Sequence, residues 1–276
     1  MLQKSSFKVT FFTDLHHADK EHGDFNCFKS LEKFERIIKD TEGCDYYVSL
    51  GDIVDYLDGT TRLFEEVIRF AEDRGLSTYR QGNYTKHTLF NVLGNHETAF
   101  IEKEKLSKFI PYKKGIGSVY YFKIDGVLFV VIDANYDRTT GVDKCEIMQS
   151  STTFTIPNSQ IEWVEEILTR EIDEEIKSIV WISHIAYKDI DSKSRENMAR
   201  AFLKRGLPVC VFEGHTHVEK FYTEVVDGKS LNIYTLAPVT FEFTIPNDQR
   251  ASSYFYYQVV FSDGKMKSIE SIRKRL

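Results

Sequence analysis

Five short apolar runs in this 276-residue chain each end abruptly in side chains able to bind a metal or carry a proton, and this repetition narrows the possible folds more than any other feature. The segments are Asp14-Leu15-His16, Gly51-Asp52-Ile53-Val54-Asp55, Gly94-Asn95-His96-Glu97, Ser183-His184 and Gly214-His215-Thr216-His217. Ligands of open α/β sheets gather outside the carboxyl ends of the strands, so five strand ends of this kind imply sheets that converge on one crevice. Of the 8 histidines, only His17, His22 and His87 fall outside these segments.

The runs between them alternate in period. Strands are predicted at 7–13, 46–50 and 89–93, with helices at 26–41, 61–74 and 97–109. The helix at 26–41 carries Phe28, Leu31, Phe34 and Ile38 at helical spacing. Asp125-Gly126 reads as a hairpin turn between strands at 118–124 and 127–132. Ser159 with Glu162 matches a capping box at the head of a helix bearing Ile161, Val164, Ile167 and Leu168. Buried strands follow at 179–183 and 208–213, then strand-like runs near 219–226, 229–236, 238–243 and 253–261. Residues 149–155, rich in Ser and Thr, read as a surface loop. Alternating β and α units with a β-rich end imply two sheets with helices outside.

Composition sets the class. With 42% hydrophobic and 14% aromatic residues the chain can bury a sizeable core, and 5 Pro and 15 Gly argue against disorder or a fibrous repeat. The length exceeds the usual ~100–200 residues per domain, but layered sandwiches run longer, so residues 1–276 are read as one domain. A net charge of −6 argues against a nucleic-acid polymer as partner, since phosphate backbones select basic faces. Arg273-Lys274-Arg275 is too short a cluster to change this and reads as a solvated tail. Cys27, Cys44, Cys145 and Cys210 form no C-x-x-C pair, which favours free thiols in a reducing compartment. No stretch approaches the ~18 apolar residues of a membrane span, and no apolar leader precedes the first strand. The chain is therefore expected to be soluble and cytoplasmic, with no membrane partner.

Asp14 and His16 are one residue apart, as are His215 and His217. On an extended backbone each pair would point to one face, where it could share a metal or hold adjacent metals. Glycines at 51, 94 and 214 precede ligands and would let the backbone turn sharply and approach an ion. Oxygen and imidazole ligands without thiolate suit Mn, Fe or Zn.

The order D-x-H, GD-x-x-D, GNHE, a separate His and GH-x-H resembles the calcineurin-like metallophosphoesterase superfamily, with all five blocks in sequence between residues 14 and 217. The resemblance implies an α/β fold, an αββα sandwich of two mixed β-sheets flanked by helices. It implies two divalent metal ions, with manganese the preferred guess. One site would come from Asp14, His16 and His217 and the other from Asn95, His184 and His215, with Asp52 bridging. A bridging carboxylate offsets the repulsion of cations ~3.5–4 Å apart. Two such ions with Asp14, Asp52 and one hydroxide leave roughly one net positive charge, enough to attract a phosphate oxygen.

The implied activity is hydrolysis of a phosphate ester by attack of a metal-activated hydroxide. His96 would protonate the leaving alkoxide, and Asp55 would hold its other ring nitrogen; the alternative for Asp55 is a helix cap or surface carboxylate. Glu97 stands where many relatives have Asp and would cap the following helix. His17 would point away from His16, and His22 and His87 would be surface or loop residues. The purple acid phosphatases place a Tyr ligand at the fourth position of the second block. Asp55 stands there instead, so a tyrosinate-bound ferric ion is not implied.

The aromatics Phe100, Tyr136, Tyr187, Phe241 and Phe243 lie near the expected rim. Stacking by one of them would favour a phosphodiester or nucleotide-type substrate, although aromatics on strands commonly belong to a core. A phosphomonoester is the alternative substrate. A non-catalytic protein-binding scaffold is the rival from another class, and it is opposed by the filling of every ligand position.

Overall fold

A computed structural model of the chain describes residues 6–18, 29–55, 60–137, 154–240 and 252–276. In these the strands are β1 (Ser6–Phe12), β2 (Tyr46–Ser49), β3 (Ser77–Thr78), β4 (Thr88–Asn91), β5 (Tyr120–Ile124), β6 (Val127–Val131), β7 (Ser178–Ile182), β8 (Val209–Glu213), β9 (Lys220–Val226), β10 (Lys229–Thr235), β11 (Ser253–Ser262) and β12 (Lys265–Arg275). The helices are α1 (Ser30–Asp40), α2 (Arg62–Glu72), α3 (Asn95–Phe100), α4 (Lys103–Leu106), α5 (Asn158–Glu171) and α6 (Ser192–Leu203).

The strands form two six-stranded mixed sheets, ordered β12-β11-β1-β2-β4-β3 and β5-β6-β7-β8-β10-β9. Alternation along the second sheet shows why they stack. Phe129 and Val131 of β6, Val180 and Ile182 of β7, and Phe212 of β8 join the core shared with the first sheet. Their neighbours Leu128, Val130, Ile179, Trp181 and Val211 join a second core with Trp163 and Ile167 of α5 and Phe202 of α6. Strands buried on both faces need apolar residues at every position, which is why these runs show no polar alternation. Between the sheets, Phe11 stacks on Phe212 at 4.3 Å and Phe90 on Phe122 at 3.8 Å. Such ring pairs contribute about 0.5–1.5 kcal/mol beyond the area they bury. On the outer face of the first sheet, Phe34 of α1 meets Phe12 at 5.0 Å.

β1, β2 and β4 are adjacent and parallel, as are β7 and β8. Their carboxyl ends are the five strand ends singled out in the sequence, three in one sheet and two in the other. The αββα architecture expected from the resemblance is thus the observed one.

Several local expectations are corrected. α5 begins at Asn158 after Pro157 with no side-chain cap, so Ser159 and Glu162 form no capping box; Pro157, with its fixed φ, marks the helix start instead. The helix expected at 97–109 is two short ones, broken at the extended residue Ile101. α6 was not foreseen because its buried side chains, Met198, Ala199 and Phe202 among them, cluster toward its C-terminal half. Residues Arg273-Lys274-Arg275 are no tail: they end β12, where Lys274 pairs with Asp40 at 3.0 Å. The loop at 149–155 and the strand at 238–243 extend outside the described residues, as do Cys27, Cys145 and His22. Cys44 and Cys210 are buried free thiols. No helix among the described residues is long and apolar enough to cross a membrane.

Candidate metal centre

The ligand-bearing segments continue strand pairing beyond the regular ladders. Past β1 and β2, Asp14 N–H donates to Gly51 O (3.0 Å), His16 N–H to Asp52 O (2.9 Å) and Asp55 N–H to His17 O (2.8 Å). Past β7 and β8, Gly214 N–H donates to His184 O at 3.0 Å. The loops are therefore fastened to one another before any side chain is considered.

Convergence of the i, i+2 pairs is observed, but extended backbone does not produce it. Asp14 (φ 55°), His16 (φ 46°), Asp52 (φ 48°), His215 (φ 71°) and His217 (φ 54°) are all left-handed, half of the ten described non-glycine residues with positive φ. Each such residue is strained by about 1–2 kcal/mol, and strain of this kind collects at functional sites.

Three groups of donor atoms result, the third formed by His16, Asp55 and His96. In the first, His16 Nε2 lies 3.1 Å from His217 Nε2 and 3.6 Å from Asp14 Oδ1, and His217 Nε2 is 3.1 Å from the same oxygen. In the second, Asn95 Oδ1 lies 3.0 Å from His184 Nε2 and 2.8 Å from His215 Nδ1, while Asp52 Oδ2 is 3.1 Å from His184 Nε2. A tetrahedral ion with bonds of 2.0–2.1 Å has donor–donor edges of about 3.4 Å, so the first two groups have the right spacing for one cation. Asp14 Oδ1 is buried with no hydrogen-bond donor, although Oδ2 of the same carboxylate accepts from Thr13 Oγ1 at 2.6 Å. A buried, unsatisfied carboxylate oxygen facing two imidazoles is what an ion ligand looks like without its ion. The tautomer of His184 is fixed from behind, where Nδ1 donates to Leu50 O at 2.8 Å and leaves Nε2 free to ligate.

The electrostatics call for added positive charge. Burial works against ionised Asp14, yet His217 and His16 hold it well below the usual carboxylate range. Asp52 is likewise held low, burial being outweighed by His184 and His96. Burial would depress His16, but the facing carboxylates of Asp14 and Asp55 push it up to about 10. His184 rises to about 9 against its burial because of Asp52. His215 falls to about 3 through burial and the neighbouring His184, and stays neutral. The carboxylates thus attract protons onto imidazoles in places where cations could sit.

Beside the first group, His96 Nδ1 lies 2.9 Å from Asp55 Oδ1, and the same oxygen is 3.6 Å from His16 Nδ1. Asp55 is 2% exposed, so it is not a surface carboxylate. Burial raises its carboxyl, but the bonds from His16 and His96 hold it far below the ordinary range.

Other expectations need revising. The glycines bring backbone close to ligand carboxylates: a Cβ on Gly94 would lie 2.0 Å from Asp52 Oδ1, and one on Gly214 2.9 Å from Asp14 Oδ2. Tyr136 and Tyr187 are buried, Tyr136 under Lys103 and Tyr187 against Trp181, and cannot stack a base. The Phe100 side chain, Phe241 and Phe243 lie outside the described residues. His17 turns away as expected, 2.9 Å from Ser30 Oγ, and His87 is exposed. Sequence reasoning passed over one buried acid and read another too narrowly. Glu213 binds Tyr187 N–H (2.7 Å) and Thr235 Oγ1 (2.6 Å), and was legible as a charge closing the apolar run before Gly214. Glu97 does more than cap α3, accepting from amides of the Asp52 loop as well.

Comparison with known proteins agrees with this picture. The family model described as calcineurin-like phosphoesterase matches residues 7–219. A dimetal phosphatase from Danio rerio superposes with a TM-score of 0.66 at 16% identity, covering 98% of each chain. The sulfate thiohydrolase SoxB of Thermus thermophilus gives 0.46 at 11% identity, over 97% of this chain and 56% of that one. A 5'-nucleotidase from Candida albicans gives 0.46 at 16%, over 91% and 46%. No curated protein matches the sequence. With the family model spanning most of the chain, this protein belongs to the calcineurin-like phosphoesterase family and is a metal-dependent phosphoester hydrolase.

Proposed function

We propose that the chain, as one domain over residues 1–276, hydrolyses phosphate esters at a pair of divalent cations. Asp14, His16 and His217 hold one ion, and Asn95, His184 and His215 the other. Asp52 is shared between them. The observation that carries this reading is the pair of neighbouring donor groups, each combining imidazole nitrogen with a carboxylate oxygen at ligand spacing. The charge of Asp52 acts on His16 as well as on His184, consistent with a place between the two groups.

Divalent ions polarise phosphoryl oxygens and bring the pKa of water from 15.7 toward about 7. The protein's own residues supply the rest. Asp55 orients His96 through Nδ1, and the Nε2 of His96, 3.8 Å from Asp52 Oδ2, faces the cation pocket. From there His96 delivers a proton to the departing alkoxide. His184 is held in one tautomer by Leu50 O, and Asp14 is held through Oδ2, which would leave Oδ1 to an ion.

The substrate is a small phosphate ester. A phosphodiester or nucleotide-type ester is the preferred class, with a phosphomonoester as the alternative. The buried positions of Tyr136 and Tyr187 remove them from the argument. Manganese is the metal of choice, with iron or zinc as alternatives. Buried free thiols at Cys44 and Cys210 fit a cytoplasmic setting.

The test compares hydrolysis of bis-p-nitrophenyl phosphate, p-nitrophenyl phosphate and cyclic nucleotides by protein loaded separately with Mn, Fe, Zn and Co. Manganese-dependent turnover of the diester above the monoester is expected. Folded protein inactive on all of them would instead support a scaffold.

A further inference from the structure

Glu97 is fully buried, and every hydrogen bond on its carboxylate comes from backbone. Oε2 accepts from Gly94 N–H at 2.6 Å and from Asp52 N–H at 3.1 Å; Oε1 accepts from Val54 N–H at 3.1 Å. A helix cap would need the first of these alone. The other two bind a separate loop, 43 and 45 residues earlier in the chain.

We propose that Glu97 is a positioning residue that sets the spacing between Asp52 and Asn95, and with it the second cation pocket, before any metal arrives. The inference rests on the two-cation reading above.

The geometry is reciprocal. Glu97 reaches from the GNHE segment to the amide of Asp52, while Asp52 Oδ1 accepts from His96 N–H at 2.9 Å. Each loop thus holds the other, and Oδ2 of Asp52 remains aimed at His184 Nε2, 3.1 Å away. Asp52 is left-handed (φ 48°), so its conformation must be enforced from outside. The contact leaves no slack, since even a Cβ on Gly94 would meet Asp52 Oδ1. Placing a second buried carboxylate beside Asp52 is electrostatically unfavourable. Its presence is understandable because a carboxylate is acceptor-only and can take all three amides. Glutamine cannot: its single oxygen would serve one side, and its NH₂ would oppose N–H donors on the other.

The test uses the full-length chain as wild type, Glu97→Gln and Phe261→Leu, the last a core change on β11 away from any ligand. Manganese binding is followed by calorimetry and by electron paramagnetic resonance, which separates coupled ion pairs from lone ions. The wild type should bind two ions per chain; fewer would defeat the two-cation reading itself, separately from this inference. Glu97→Gln should retain one ion, give an uncoupled signal, and bind the second about 10–100-fold more weakly. Phe261→Leu should lose thermal stability and still hold a coupled pair. Unchanged binding of both ions by Glu97→Gln, or the same loss in Phe261→Leu, overturns the proposal. Amide exchange on metal-stripped wild type decides the matter if Glu97→Gln does not fold. Protection at Asp52, Val54 and Gly94 comparable to that in β4 is expected, and free exchange there overturns it.

Discussion

Loading the metal-free chain with manganese should expel protons, and the number follows from the charges around the donors. Without ions, His16 is pushed up to about 10 and His184 to about 9, so both are cationic at pH 7.5. His215, lowered to about 3, has no proton to give. An ion ligated by Nε2 cannot share that lone pair with a proton, so filling both pockets displaces about two protons from the ligands. Ionisation of a water adds to the count. Each proton displaced makes the apparent dissociation constant fall about tenfold per pH unit, so tightening of roughly a hundredfold is expected between pH 7 and 8 for the pair. Calorimetric titrations in buffers of differing ionisation enthalpy measure the protons directly.

The same protonations give the metal-free fold a pH dependence of fixed sign. Both folded-state values exceed the unfolded value of 6.5, so this stabilisation is complete below pH 6.5 and is lost as pH rises through 9 to 10. Thermal unfolding of the stripped chain should therefore occur at lower temperature at pH 9 than at pH 7. Less than one proton released on loading, or metal affinity flat across pH 7–8, would show that His16 and His184 are not the protonated donors.

Asp52→Asn should lose metal and activity together, because it removes the charge placed between the ions; metal analysis alongside turnover checks this. His96→Ala should keep both ions and lose about 10²–10⁴-fold in turnover on esters with poor leaving groups, with a smaller loss on nitrophenyl esters. An equal loss on both classes would count against proton delivery by His96. Gly94→Ala drives a methyl into Asp52 Oδ1 and should cost about 1–3 kcal/mol by denaturant titration while emptying the Asn95 pocket.

Much of this was legible in the sequence, for a specific reason. A candidate donor at the end of a buried strand follows an apolar run, and the contrast is visible without knowing any contact. Thus Asp14, Asp52, Asn95, His184 and His215 could be picked out, and the sheets that carry them inferred. What could not be read was how the loops are held. Left-handed φ at Asp14 or His217 has no compositional mark, since neither residue is glycine. Glu97 looked like a helix cap because its partners in the Asp52 loop are distant in sequence. Tyr136 and Tyr187 were placed at a rim because an aromatic after a strand gives no sign of which way its ring turns.

The first two donor groups each take atoms from both sheets, the first joining Asp14 and His16 to His217, 201 residues beyond His16. During synthesis Asp14, His16, Asp52 and Asn95 would emerge long before His184, His215 and His217, leaving each of these two groups an incomplete chelator with little grip on a transition metal. Choice of cation is thereby postponed until the two sheets have docked, so that the finished cavity, rather than the first metal encountered by the growing polypeptide, decides what is bound.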